Sequence, residues 1–277
     1  MANKPTNTLA NRPRFSAAIK SDAYQKLINS TLGDEKRASK FIASISSAVA
    51  VNPALQECDA GTILSAALLG ESLELSPSPQ LGHFYIVPYN DKMRGKVGTF
   101  QIGYKGYVQL AIRSGQYRNI NAISVKEGEL KRWNPLTEKI ELELIEDEVT
   151  REKTKTIGYV AYFELTNGFS KTIYWSKEKM TKHAKTYSKA YGTQYSFWTK
   201  DFDEMAYKTL IRQLISKWGV MSIDFQRAYQ NDMATVDLED GLPNYVDNDP
   251  NNEPEGTGEE ENPEQPTKQR SLLEDEG

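Results

Sequence analysis

One cysteine and two histidines in 277 residues leave little material for thiol or metal chemistry. With Cys58 alone no intrachain disulfide can form, and a cysteine-based zinc site lacks its ligands. His83 and His183 have no second ligand at metal spacing, so each reads as a structural histidine. Charges interrupt every apolar stretch well short of a membrane span, and no signal-peptide pattern is present. A soluble, cytoplasmic chain with no membrane partner is expected. Gly98 and Gly103 have the first spacing of a phosphate-binding loop, but Tyr104 stands where that loop needs lysine and no hydroxyl residue follows Lys105. A Ser/His/Asp nucleophile set is also missing. No cofactor and no hydrolytic active site are expected.

What is present is segregated charge. The net charge of −4 conceals a tail, Asp237 to Gly277, with 14 acidic and 2 basic residues, and residues 1–236 with 24 acids against 32 bases. A basic body with an acidic tail is a common pattern among proteins that bind nucleic acid. The same tail would also serve solubility alone.

Three stretches are expected along the chain: a loose arm over residues 1–15, one folded core over 16–236, and a disordered acidic tail over 237–277. Within the core, Ala17 to Leu32, Asp34 to Ala50 and Asp59 to about Leu73 read as helices, the last capped by Asp59. Past the break at Ser76 to Pro79, Phe84 to Tyr89 and Val97 to Tyr104 read as strands, followed by a short helix ending at Gly115. Asn119 to Val125 and Ile140 to Ile145 are further strands, and Asn167-Gly168 joins Thr156 to Leu165 and Phe169 to Trp175 as a hairpin. Two helices follow, one from Ser176 to Tyr191 and one from Asp201 to about Trp218. The class is α+β: N-terminal helices, strands with hairpins, and two helices in the C-terminal half.

Four constellations carry chemistry. Lys92, Arg94, Lys96, Lys105, Arg113 and Arg118 fall in 27 residues without an acid, interleaved with Phe100, Tyr104, Tyr107 and Tyr117. Cations attract phosphates and aromatic faces stack on unpaired bases of any identity; an ordinary hairpin with solubilising charges has the same composition. The glycines of Gly103-Tyr104-Lys105-Gly106 would let backbone approach a phosphate. Second, on the helix after Ser176, Met180, Ala184, Tyr187 and Tyr191 should face the core, leaving Lys182, Lys185 and Lys189 on the opposite ridge. Like charges on one ridge repel, and a polyanion would relieve them; a plain solvated face is the alternative. Third, Tyr195, Phe197 and Trp198, with Lys200 beside them, either plug a core or form a stacking platform. Fourth, the last helix carries an apolar seam of Phe202, Ala206, Leu210, Leu214 and Trp218, and a second ridge of Glu204, Lys208 and Arg212. Glu204 can pair with Lys208 there, leaving Arg212 for a phosphate.

Taken in order, Thr62-Ile63-Leu64, Leu81-Gly82, Tyr85-Ile86-Val87-Pro88-Tyr89, Phe100 to Gly106, Leu110-Ala111, Arg113-Ser114-Gly115, Asp203-Glu204-Met205, Lys208-Thr209 and Arg212 resemble the RecT family of single-strand annealing proteins. The resemblance covers about Thr62 to Trp218. One departure is Tyr207-Lys208, where the family often has paired lysines. The resemblance implies ATP-independent annealing of complementary DNA strands in homologous recombination, homo-oligomers that become helical filaments on single-stranded DNA, and a partner 5′-to-3′ exonuclease. It also implies a phage or prophage origin in a bacterial host, and a distant likeness to the eukaryotic and lambda-type annealing folds, a curved antiparallel sheet backed by helices. In the expected mechanism a basic groove holds one strand by its backbone, with Lys105, Arg113, Lys182, Lys189, Lys208 and Arg212 foremost, while the early helices align protomers. The tail, ending in Leu272-Leu273-Glu274-Asp275-Glu276-Gly277, either competes with DNA or docks a partner such as the host single-strand-binding protein. Two rivals remain at this point: a metal-dependent nuclease using Asp201, Asp203 and Glu204, and a passive coating protein.

Overall fold

A computed structural model describes residues 13–91, 94–188, 190–194, 196–236, 238, 243–245 and 252–253. Lys92, Lys189, Tyr195, most of the N-terminal arm and most of the acidic tail lie outside the described residues.

Three helices open the chain: α1 (Phe15–Ala18), α2 (Asp22–Leu32) and α3 (Glu35–Val51). The single helix expected from Ala17 to Leu32 is thus divided, with the chain re-entering helix at the extended Ser21. Asp34 caps α3 by accepting from the Arg37 N–H. A 3-10 turn over Pro53–Glu57 leads to α4 (Ala60–Ser72), capped by Asp59 through the Gly61 N–H. Eight of its thirteen residues are buried, so α4 is surrounded rather than amphipathic.

The strands β1 (Phe84–Asp91) and β2 (Gly95–Ile102) pair antiparallel, Phe84 opposite Ile102 and Asp91 opposite Gly95. Then come α5 (Tyr104–Arg113), β3 (Tyr117–Lys126), the small hairpin β4 (Leu130–Asn134) and β5 (Lys139–Leu142), α6 (Glu148–Lys153), β6 (Thr156–Leu165) and β7 (Ser170–Ser176). The Asn167-Gly168 hairpin forms as expected, with Gly168 in the left-handed region. After it run α7 (Lys177–Tyr187), α8 (Phe197–Lys200), α9 (Phe202–Trp218) and α10 (Ile223–Asn231). The chain ends in three short strands, β8 (Ala234–Val236), β9 (Pro243–Tyr245) and β10 (Asn252–Glu253).

The mixed α+β class holds, but its strands divide among three sheets instead of one. Their orders are β10-β1-β2-β8-β9, β3-β6-β7 and β4-β5. Strands β9 and β10 carry the five-stranded sheet into the region read as an unstructured tail; β9 pairs with β8 and β10 with the end of β1. One apolar core, running from Phe15 to Val236, joins both large sheets, with α4 and α9 among its densest contributors. Among the described residues no helix is long and apolar enough to cross a membrane.

Two helix readings shift. The helix after Ser176 stops at Tyr187 rather than Tyr191, because the N–H groups of Tyr191, Thr193 and Ser196 donate to the carbonyls of Ser188, Ala190 and Thr193 in place of the helical ladder. Those turns deliver Trp198 into the core. Tyr187, expected to face the core, is 64% exposed. Helix α10 was not expected, although Ser222 caps it and Phe225 and Ala228 lie buried at helical spacing.

Candidate nucleic-acid interface

The basic run is the first candidate, and folding takes it apart. Arg94 is held by Asp91 at 3.1 Å and donates to Thr235. Lys96 meets Glu57 at 2.8 Å, Arg113 meets Glu74 at 3.0 Å, and Arg118 meets Glu164 at 2.8 Å. Every one of these acids lies outside the acid-free stretch, so four of its six cations are paired in three dimensions. Its aromatics are core as well: Phe100, Tyr107 and Tyr117 are buried. The glycines of the Gly103 to Gly106 turn serve a different contact from the one expected. A methyl group at Gly103 or Gly106 would collide with the carbonyl oxygen of Gly82 or His83 respectively. The close approach is therefore between backbones, and the Gly103 N–H donates to the His83 carbonyl at 2.8 Å. It fixes the N-terminus of α5, where Lys105 stands exposed.

A second region gathers what remains. Three cavities of about 470, 430 and 270 Å³ share lining residues around Met205 and adjoin as lobes of one cleft. The first lobe lies between α7, α9 and the start of β8, and Trp175, His183, Tyr187 and Trp198 line it. The second reaches Pro88 and Tyr89 of β1, and the third reaches Tyr85 and Tyr104. Phe197 and Lys200 line both of these. Phe197 packs against Tyr85 at 5.8 Å and is half-buried, while Trp198 is buried edge-on to Phe202. Both aromatics thus wall the cleft, Trp198 as a buried core residue at the first and second lobes and Phe197 as a half-buried one at the second and third.

Of the basic run only Lys105 stands near this cleft among the described residues, and other cations join it from α7 and α8. Lys105, Lys182, Lys185 and Lys200 are exposed, and none of them has an ion-pair partner among the described residues. Lys105, Lys185 and Lys200 each approach an aromatic ring, at 5.9 Å from Tyr104, 6.0 Å from Tyr191 and 5.8 Å from Phe197. A cation beside a π-face offers both groups that an unpaired strand uses, one for phosphate and one for base.

Under the cleft the Glu204, Lys208 and Arg212 ridge turns inward instead of lying on the surface. Lys208 is buried and bonds Asp232 Oδ1 at 2.9 Å in place of the expected Glu204. Arg212 has its guanidinium 3.8 Å from Asp232 Oδ2 and 4.5 Å over the Tyr229 ring, and it lines the first lobe. Asp232 also accepts from the Ile102 N–H and the Tyr107 hydroxyl. Burial and this carboxylate push the Tyr107 phenol far above its ordinary range. Asp232 was missed in the sequence, where it follows Gln230-Asn231 just before a short strand. The burial of Glu129 was missed too. Its carboxylate accepts from Arg151 at 2.6 Å and from the N–H groups of Lys126 and Ile145, tying α6 to the end of β3.

The acids read as a possible metal set have other work. Asp201 caps α9 through the Glu204 N–H, and Asp203 accepts from the Tyr159 hydroxyl at 2.6 Å. Lys177 donates to that same hydroxyl. Glu204 is half-buried, and burial, with Asp201 nearby, raises its carboxyl above the usual range. His183 sits between Trp175 at 5.3 Å and Tyr187 at 4.6 Å, its pKa lowered by burial and then by Arg212. Among the described residues no group of three side chains is gathered that could hold a metal ion.

A family model described as RecT family matches residues 39–243. The chain is 42% identical over 243 residues to the uncharacterized protein YqaK of Bacillus subtilis (strain 168), covering 86% of this chain and 80% of that one. It is 33% identical over 184 residues to Protein RecT of Escherichia coli (strain K12), covering 65% of each.

Proposed function

From the premise that the chain belongs to the RecT family of single-strand annealing proteins of DNA recombination, we propose that the three-lobed cleft around Met205 holds one DNA strand and offers it for pairing without ATP. The observation that carries this reading is the coincidence of cations and accessible aromatic faces at the cleft. Lys105 and Lys200, without ion pairs among the described residues, flank the third lobe, Arg212 lines the first beside Asp232, and Lys182 and Lys185 rise from the exposed side of α7 at a separate cavity. Charges that read phosphate and rings that stack on any base give binding without sequence preference. Lys92, Lys189 and Tyr195 remain candidate contacts.

Protomers aligned through α2 and α3 would make the cleft continuous along a helical filament. A 5′-to-3′ exonuclease would supply the single strands, and the acidic tail would engage either the cleft or the host single-strand-binding protein. The mechanism is electrostatic and geometric. Holding the phosphates of one strand lowers its repulsion for a second, and no bond is made or broken.

Stopped-flow annealing tests it. Complementary oligonucleotides carrying a fluorophore and a quencher are mixed with protein in EDTA without nucleotide. Quenching well above the protein-free rate supports annealing independent of ATP and divalent metal. Binding without acceleration identifies a coating protein, and absence of binding removes the cleft as a DNA site. Lys105→Ala or Arg212→Ala should weaken binding to all sequences alike; sequence-selective loss would contradict a phosphate-reading cleft.

A further inference from the structure

The second lobe differs from its neighbours in composition. Among the described residues Lys200 is the only charged group in its lining, and Pro53, Val87, Pro88, Phe197 and Trp198 supply much of the wall. Asp201, Glu204 and Lys208 belong to the third lobe. Gln101 of β2 lines both lobes. It is only 6% exposed, yet its side-chain amide has no hydrogen bond among the described residues. That amide presents a donor and an acceptor to whatever enters the lobe. An apolar pocket with one amide and one cation suits a short peptide that joins apolar side chains to acids, since its backbone can pair with the amide.

The chain carries such a segment and delivers it beside the lobe. In β10, Asn252 lies opposite Asp91 and Glu253 opposite Asn90. Being antiparallel to β1, β10 aims the chain after Glu253 toward Pro88 and Val87, which line the second lobe. Pro88 is two residues from Asn90, about 7 Å along a strand. Residues 254–277 lie outside the described residues, and in them Leu272 and Leu273 are the only aliphatic or aromatic side chains apart from proline. They lead directly into Glu274-Asp275-Glu276. Between Glu253 and Leu272 stand 18 residues. A flexible coil of that length spans about 20–25 Å, enough to reach the lobe and fold back into it. Tethering at this range gives an effective concentration of about 1 mM, so weak contacts suffice.

We propose that Leu272 to Glu276 docks in the second lobe of its own chain and gates the cleft. The leucines enter beside Pro53, Pro88 and Phe197, the Gln101 amide pairs with a peptide group of the segment, and Lys200 meets its acids. Docked, the segment covers Phe197 and Lys200, so single-stranded DNA must displace it. The gating rests on the reading of the cleft as the strand-binding site; the docking does not. A partner that takes the two leucines opens the cleft.

Photo-cross-linking of the whole chain tests docking without DNA. Leu273→benzoylphenylalanine is irradiated as a mixture of isotope-labelled and unlabelled protein, and adducts are mapped by mass spectrometry. Adducts to residues 52–54, 87–89 or 196–200 within one chain are expected. Gln101→Leu, or the exposed Lys200→Glu if the first does not fold, should reduce them at least about threefold. No adduct, adducts only between labelled and unlabelled chains, or adducts that ignore both substitutions overturn the docking. Gating is read by titrating a fluorescent oligo-dT. Leu272→Ser with Leu273→Ser keeps every charge and should tighten binding about three- to tenfold, as when about 70–90% of the clefts are masked. Unchanged or weaker binding overturns the gating. Wild-type protein that fails to bind oligo-dT overturns the cleft reading itself, while the cross-link still decides the docking.

Discussion

The β1–β2 hairpin with α5, and the cleft between α7 and α9, contain the same kinds of residue and use them differently. In the first, Arg94, Lys96, Arg113 and Arg118 reach acids on other elements and act as fasteners. In the second, Lys182, Lys185 and Lys200 stand without carboxylate partners among the described residues. Counting charge along a sequence therefore overstates the first region and understates the second. The difference arises in tertiary structure, where Glu57, Glu74 and Glu164 arrive from distant positions.

The largest effect should come from the buried pair that separates fastening from presenting. Asp232→Ala leaves Lys208 without its carboxylate and should cost about 3–5 kcal/mol in urea unfolding. A loss below about 1 kcal/mol would show that the pair is not the buried junction described. Gly106→Ala comes next. Its methyl must displace the His83 carbonyl, so a loss of about 1–3 kcal/mol is expected, with weaker DNA binding because Lys105 shifts. Lys182→Glu with Lys185→Glu should then weaken oligo-dT binding by about tenfold per charge while leaving the melting temperature nearly unchanged. The counterpart, Lys96→Ala with Arg118→Ala, should leave DNA affinity within about twofold, with stability changes near 0.2–1 kcal/mol per exposed pair. If these two pairs of substitutions gave the reverse pattern in fluorescence titration, the contrast between the regions would be broken.

The smallest effect concerns acid. His83 and His183 both have folded pKa values lowered, first by burial and then by nearby cations. The unfolded chain binds protons more readily than the fold between those lowered values and about 6.5, so stability rises with pH through that window. Melting temperature should fall as pH drops below about 6.5 and be flat just above it. Replacing His183 with Gln should remove part of that slope.

Much of the scaffold was legible because it is written locally. Asp59 caps the helix it was expected to cap, Ser176 and Asp201 cap the two helices read as starting from them, and the Asn167-Gly168 turn sets the register of β6 and β7. The seam of α9 buries Ala206, Leu210 and Leu214 as its spacing requires. What was not legible depends on contacts distant in sequence. The Glu204, Lys208 and Arg212 ridge looked like a solvent face because nothing within one helix reveals that Asp232 will cover it. The glycines at 103 and 106 advertised a close approach without saying to what. Of the site residues, Lys105, Lys182, Lys185, Phe197, Lys200 and Arg212 stand at the cleft or on the exposed face of α7, while Arg94, Lys96, Arg113 and Arg118 are diverted to ion pairs.

The junction after α10 has a mechanical consequence. Asp232 grips Lys208 from below the cleft, and two residues later the same chain becomes β8, whose Ala234 lies opposite Phe100 and whose Val236 carbonyl is bonded by Ser65. Between Asp232 and β8 stands a single residue, Met233, in a left-handed turn (φ 66°). A load applied beyond Val236, whether by a partner seizing the acidic tail or by a neighbouring protomer, meets β8 first and, once β8 yields, reaches the counter-ion of Lys208 through that one turn residue.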